Sequence, residues 1–138
     1  YREVQIQKNL KEMKSDVKLQ KDLAKRVGGA EEAEAALDNV GDECIRYGLT
    51  DVRDIATVNQ LVNQGYDTDE ALKNVKAVKD YGKRTSDLGD KDRTDFEKTI
   101  ERRVKKHMPD NATDDEIDNN KQIIINNFDQ IGDIYYKD

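Results

Sequence analysis

The sequence predicts an all-α fold of about six helices in an irregular bundle, with a short-turn helical hairpin at residues 50–82 in its centre. Apolar residues recur at three- and four-residue steps along most of the chain, which is the spacing of an amphipathic helix. The chain has one proline, and 39% of its residues are charged against 35% that are hydrophobic, as is typical of helices with a solvated face. Its 138 residues suffice for one core, so we expect a single helical domain over residues 1–138.

The pattern of residues 1–27 predicts one long first helix, which either extends outward as a coiled-coil-like helix or lies along the core of the domain. Its apolar positions alternate at steps of four and three residues, which gives the 3.5-residue repeat of a helix that packs along its length. Gln20 continues the repeat and either fixes the register of a coiled coil or marks where the stripe meets water. Through Gly29 the segment has eight Lys or Arg and four Asp or Glu, a net charge of +4. The candidate partner surface is Ile6, Leu10, Met13, Val17 and Gln20.

A second helix is expected from about Ala30 to Tyr47, because the Gly28-Gly29 pair breaks the first. Acidic residues in its first turn suit the positive end of the helix dipole. Residues 30–54 have eight acidic and two basic residues, a net charge of −6, so we expect this segment to lie against the basic first helix. Its predicted buried stripe is Ala33, Ala36, Leu37, Val40, Cys44 and Ile45.

The central hairpin joins two helices through a short turn. Thr50-Asp51 caps the first helix, and Gly65 can take the left-handed conformation that ends it. Asp67-Thr68 caps the second helix, which Gly82 ends. A turn this short favours antiparallel neighbours, so the two apolar stripes should face one core. The stripes are Val52, Ile55, Ala56, Val58, Leu61 and Val62 in the first helix, and Ala71, Leu72, Val75, Val78 and Tyr81 in the second.

Glycines expected to end helices stand 17 residues apart, at Gly48, Gly65 and Gly82. Two such intervals equal the length of a tetratricopeptide-type helix pair. The aromatic, alanine and proline positions that such a repeat needs are not filled. A coincidence of similar helix lengths is therefore favoured over a true solenoid.

The polar stretch at residues 83–93 is a candidate internal hinge. Thr94 and Glu97 then form a capping box that opens a basic helix over residues 94–108, with Phe96, Ile100, Val104 and Met108 facing inward. A local basic face can neutralise phosphates even on a protein whose net charge is −6 and whose pI is about 4.9. The candidate nucleic-acid contacts are Arg93, Lys98, Arg102, Arg103, Lys105 and Lys106.

The last helix is the most hydrophobic of the chain. Thr113 and Glu116 repeat the capping box at its start, and Lys121 occupies one place in its heptad pattern. This helix is expected either at the centre of the core or as a docking face for a partner. Its heptad positions are Ile117, Ile124, Phe128, Ile131 and Tyr135.

The sequence contains few candidate catalytic residues. The single histidine, His107, has no identifiable nucleophile or carboxylate partner, and Cys44 lies on an apolar stripe as a small buried hydrophobe would. We therefore predict a protein that is not an enzyme and has no cofactor or metal. The leading hypothesis is a protein–protein interaction or assembly module of scaffold or adaptor type, acting on a protein partner or by self-association. The alternative is a nucleic-acid-binding or regulatory domain that uses the basic helix 94–108.

Targeting signals are absent from the sequence. No apolar run is long enough to span a bilayer, and no signal-peptide pattern stands at the start. A lone cysteine suits a reducing compartment, so the expected location is cytoplasmic. The chain begins at Tyr1 in the middle of a helical pattern, as expected of a segment cut from a longer protein.

Overall fold

The computed structural model of this protein describes residues 2–82 and 85–137. All regular secondary structure in these residues is helical, which confirms the all-α prediction. The chain divides into two compact units, unit 1 at Tyr1–Ala77 and unit 2 at Val78–Asp138. The helices are α1 (Glu3–Ser15), α2 (Val17–Val27), α3 (Ala30–Ala36), α4 (Asp42–Arg46), α5 (Val52–Asn63), α6 (Thr68–Tyr81), α7 (Asp90–Lys106) and α8 (Asp114–Tyr135).

The predicted single helix over residues 1–27 is wrong, because the chain breaks at Asp16 into α1 and α2. The backbone of Asp16 is extended, with φ −81° and ψ 107°. Its side chain accepts a hydrogen bond from the backbone N–H of Leu19 at 3.1 Å, which caps α2. After the break a different stripe faces inward, since α2 buries Leu23, a residue outside the predicted heptad. A local cap has therefore interrupted a repeat that looked continuous in sequence.

The predicted second helix is a continuous helical run that contains one irregular turn. Between α3 and α4 the residues Leu37–Gly41 form a π-helical turn. Gly41 lies under α1, and a Cβ atom on it would come within 2.6 Å of Cδ1 of Leu10. The whole predicted stripe is buried in unit 1, which confirms it: Ala33, Ala36, Leu37, Val40, Cys44 and Ile45.

Two ion pairs join α1 to the helical run at residues 30–46. Lys14 of α1 pairs with Asp38, as expected of a basic segment lying against an acidic one. Arg46 of α4 pairs with Glu3 of α1, so in this second pair the basic residue comes from the acidic segment and the acidic residue from the basic one. Hydrogen bonds from Gln7 and then from Arg46 lower the pKa of the Glu3 carboxyl. These pairs are exposed, so they orient the helices and contribute little to stability.

The helices of the predicted hairpin begin and end close to their expected positions. At the start of α5 the backbone N–H of Asp51 donates to Oδ2 of the buried Asp54 at 3.2 Å, one half of a capping box. At its end Gly65 has φ +102°, and the N–H of Tyr66 donates to the carbonyl of Leu61 at 3.0 Å. This is a Schellman motif, which explains why the helix stops there. The residues of the predicted stripes that are buried are Ile55, Ala56, Val58, Leu61, Ala71, Leu72, Val75 and Val78.

In unit 2, α7 begins four residues earlier than predicted, after Gly89. The hydroxyl of Thr94 lies inside the helix and donates to the carbonyl of Asp90 at 2.8 Å, so the predicted cap at Thr94 is wrong. Acidic residues at positions 90 and 92 occupy the first turn, where the helix dipole favours them. The part of the predicted hinge from residue 89 onward is therefore the start of a helix. Residues 83 and 84 lie outside the described residues.

Unit 2 is organised around an aromatic cluster. The rings of Tyr81 and Phe96 meet edge to face with centroids 4.9 Å apart, and those of Phe96 and Phe128 lie 4.7 Å apart. Thr85, in a short 3₁₀ turn at Thr85–Asp87, donates its N–H to Oδ1 of Asp129 at 3.0 Å. The remaining buried apolar side chains of this unit are Val78, Leu88, Ile100, Val104, Ile131 and Tyr135.

The first half of α8 is less buried than its second half. Thr113 caps the helix as predicted, accepting a hydrogen bond from the N–H of Glu116 at 3.2 Å. Ile117 and Ile124 are only half-buried, and Ile123 is 58% exposed. Helix α8 thus contributes to the core of unit 2 mainly through its C-terminal half.

Candidate functional site

The five residues of the predicted partner surface do not form one stripe, because the break at Asp16 redirects the chain between them. Ile6 is fully buried in the core of unit 1 and cannot face a partner, which corrects its assignment. Leu10 and Met13 are half-buried, whereas Val17 is 68% exposed. Gln20 is half-buried, and its side-chain amide donates to the carbonyl of Met13 at 3.1 Å across the break.

An open groove lies beside this break in unit 1, and it includes two of the predicted residues. It has a volume of about 250 Å³ and is mostly apolar. The end of α1, one face of α2 and the first residue of α3 build it, so three elements are needed to form it. We call this site the kink groove; it is lined by Lys14, Ser15, Val17, Gln20, Lys21, Ala24 and Ala30.

Helix α2 has three distinct sides, as the rotation of about 100° per residue predicts. One side, with Leu23 fully buried, faces the core. The next side carries the groove-lining residues Val17, Gln20 and Ala24. Lys21 lines the far edge of the groove, and Lys18 and Lys25 stand three residues before and four residues after it on the exposed side of the helix. None of these three lysines forms an ion pair within the described part of the chain. The kink groove is therefore apolar inside and basic along one edge.

In unit 2, all six predicted nucleic-acid contacts on and beside α7 are exposed: Arg93, Lys98, Arg102, Arg103, Lys105 and Lys106. Lys98, Arg102 and Lys105 follow one another at steps of four and three residues, on the side of α7 away from its buried residues. Lys91 stands seven residues before Lys98 and extends this row, which we call the basic row. Sequence reasoning missed Lys91 because it placed the helix start at residue 94.

Acidic neighbours reduce the charge of the exposed face of α7. Nε of Arg93 lies 3.3 Å from Oε1 of Glu97, and Nζ of Lys105 lies 3.9 Å from Oε2 of Glu101. Lys98, Arg103 and Lys106 have no ion-pair partner among residues 2–82 and 85–137. The exposed face of α7 thus combines free cations with local ion pairs.

Cys44 and His107 occupy very different environments. His107 is exposed just after the end of α7. Cys44 is fully buried, as predicted. Burial, assisted by the charges of Asp54 and Asp42, raises the pKa of its thiol from 9.0 to about 12. The thiol therefore stays protonated at neutral pH and is a poor nucleophile.

Cys44 is expected to resist alkylation by iodoacetamide in the folded protein at pH 8 and to react promptly in urea. Its raised pKa favours folding below about pH 9, and this contribution is lost as the pH rises toward about 12. Mass spectrometry of a Val4→Cys variant provides an internal control, because position 4 is 82% exposed in the native residue. The thiol at position 4 should be alkylated quickly, and Cys44 should be alkylated only when the protein unfolds. Equal labelling rates at positions 4 and 44 would contradict the burial of this thiol.

Among the described residues, no group of three or more His, Cys, Asp or Glu is placed to hold a metal ion. No described helix is both long enough and apolar enough to cross a membrane. Comparison with protein-family models, curated proteins and solved structures found no match to this chain. The chemistry of the kink groove and the basic row is therefore the basis for inferring function.

Proposed function

We propose that this chain is a non-enzymatic helical module for protein–protein interaction or assembly, of scaffold or adaptor type, and that the kink groove is its binding surface. The observation that carries the proposal is an open apolar groove with Val17, 68% exposed, at its edge. Single exposed apolar residues are ordinary on protein surfaces. A concave apolar site built from three elements is the usual form of a binding site.

The size of the kink groove suits one or two partner side chains. A volume of about 250 Å³ is smaller than most small-molecule sites, but it resembles the pockets that anchor a protein interface. Burying the exposed part of Val17 contributes on the order of 1–2 kcal/mol, about a tenfold change in the dissociation constant. Val17 is therefore the residue whose loss should weaken binding most visibly.

A photocrosslinking residue tests this proposal. A benzophenone side chain placed at position 17 should form a defined adduct with a second protein or a second copy of the chain, while the same group at position 4 should not. Both native valines are exposed and stand in the first turn of a helix, so the pair is matched. Solution mass by light scattering at several concentrations accompanies the crosslinking. A concentration-independent monomer mass together with no adduct at position 17 would refute the proposal.

The second candidate is a nucleic-acid-binding or regulatory domain that uses α7. The observation favouring it is the basic row, whose cations face away from the core of unit 2. Reversing Arg102, Arg103, Lys105 and Lys106 to glutamate should abolish retention of DNA or RNA at low salt, because phosphate contacts dominate such binding. Reversing Lys18, Lys21 and Lys25 in unit 1 is the control of similar charge. Unchanged retention by the α7 variant would eliminate this candidate.

A further inference from the structure

We infer that the partner of the kink groove is an acidic amphipathic helix of another protein. This inference rests on the proposed function and specifies it. The groove is bounded by helices, and it follows α2 from Val17 to Ala24, a length of about 10 Å. That length accommodates about two turns of a partner helix, whose apolar residues at three- and four-residue steps would fill it.

Small residues make the groove suitable for a helix. Ala24 and Ala30 lie on its lining, and short side chains allow the backbone of a docked helix to approach closely. The exposed Val17 stands at one end of the groove. Within the described residues there is no β-strand, so a sheet edge that could bind an extended peptide is absent from this part of the chain.

Charge defines the kind of helix that fits. Lys21 lines the groove, and the exposed Lys18 and Lys25 follow the same side of α2 at steps of three and four residues from it. None of the three has an ion-pair partner in the described ranges. Lys14, also on the lining, is already paired with Asp38. Carboxylates flanking the apolar stripe of a partner would meet the unpaired lysines, as complementary charges do beside the seam of a coiled coil. Duplex nucleic acid fits this site poorly, because its bases are stacked inside the helix and its phosphates would meet the lysines but leave the apolar groove empty.

The start of α8 shows the same chemistry within this chain, but it is already occupied. Asp114, Asp115 and Glu116 stand beside Ile117 in its first turns. Ile117 is half-buried in unit 2, and the helix is anchored there by Phe128 and Ile131, both buried. A separate protein is therefore the better source of the docking helix, and a second copy of this chain is the competing outcome.

A peptide-display selection on the full chain tests the inference. The library contains helical peptides of about three heptads with a fixed apolar stripe and randomised flanking positions. The wild-type chain should enrich Asp and Glu at the flanks. A variant with Lys18, Lys21 and Lys25 changed to glutamate should bind the selected peptides at least about tenfold more weakly, and raised salt should weaken the wild-type interaction. The same three lysines changed to glutamine provide a milder variant if the glutamate variant is destabilised.

Matched substitutions separate the possible outcomes. Val17→Asp should abolish peptide binding and still fold, because a carboxylate suits the first turn of α2, whereas Val4→Asp should bind normally. Binders that depend on Val17 but carry no acidic enrichment would overturn this inference and leave the proposed function standing. The absence of any Val17-dependent binder would overturn both. A concentration-dependent solution mass that Val17→Asp abolishes would identify a second copy as the occupant and overturn the inference.

Discussion

Replacing Phe96 with alanine is expected to lower the free energy of unfolding by about 3–5 kcal/mol. The side chain is 1% exposed, and its ring contacts those of Tyr81 and Phe128. Alanine would remove one of three mutually contacting rings, since those of Tyr81 and Phe128 also meet, with centroids 5.8 Å apart, and it would leave a cavity that cannot fully collapse. Since domains of ordinary size unfold with only about 5–15 kcal/mol, this one change should remove a large part of the stability.

Urea unfolding followed by circular dichroism measures this effect. The matched control is Ile123→Ala, which also truncates an apolar residue of unit 2 but at a position that is 58% exposed. Its effect should stay within about 0.5 kcal/mol. A loss below about 1 kcal/mol for Phe96→Ala would mean that the aromatic cluster does not organise unit 2.

Replacing Ile6 with alanine should cost about 2–5 kcal/mol, the second largest effect we expect. Ile6 is fully buried in unit 1, whereas Val17, which the sequence places in the same heptad stripe, is 68% exposed. Val17→Ala should therefore change the free energy of unfolding by less than about 0.5 kcal/mol. Comparing the two substitutions therefore distinguishes a core residue from a surface residue, although both belong to the same heptad pattern in the sequence.

The same unfolding experiment, run on both variants, provides the measurement. If α1 and α2 formed one extended helix with a uniform exposed stripe, both substitutions would have small and similar effects. Similar losses at positions 6 and 17 would thus contradict the break at Asp16. The predicted difference of at least about 2 kcal/mol is well above the error of such measurements.

Local signals explain which parts of the fold could be predicted from sequence. The end of α5 at Gly65-Tyr66 depends on a left-handed glycine and two backbone hydrogen bonds, all within six residues. The cap at Thr113 is similarly local. The stripe that includes Val40 and Cys44 was evident because burial repeats at the helical period. These features need no knowledge of which helix packs against which.

The wrong predictions at Asp16 and Thr94 arose where two local sequence patterns overlap. The sequence prediction followed a heptad repeat that continues through Asp16, whereas in the structure the side chain of Asp16 caps α2 and ends the repeat. At Thr94 a capping-box pattern lay inside a helix that acidic residues had already started. A pattern of three or four residues cannot show which of two overlapping signals prevails.

The candidate site was only partly predictable. Val17 and Gln20 were identified from the heptad, but the kink groove also requires Ala24 and Ala30, which only a folded chain brings beside them. The lysines along α2 were visible in the sequence only as part of a basic segment. Their position at the edge of an apolar groove depends on the break at Asp16, because that break sets which side of α2 faces the core.

The π-helical turn at Leu37–Gly41 has a consequence for insertions and deletions. Ala33 and Ile45 are both fully buried, although in an ideal α-helix twelve residues at about 100° each would turn them about 120° apart. The wider turn between them offsets part of that rotation. Deleting one residue there would let the turn become regular α-helix, and eleven residues at about 100° each leave Ala33 and Ile45 only about 20° apart, so both would still face the core. Inserting one residue would instead add about 100° of rotation and turn Cys44 and Ile45 toward solvent. Insertions should therefore be tolerated in the loop at residues 107–113 but not in this helical run.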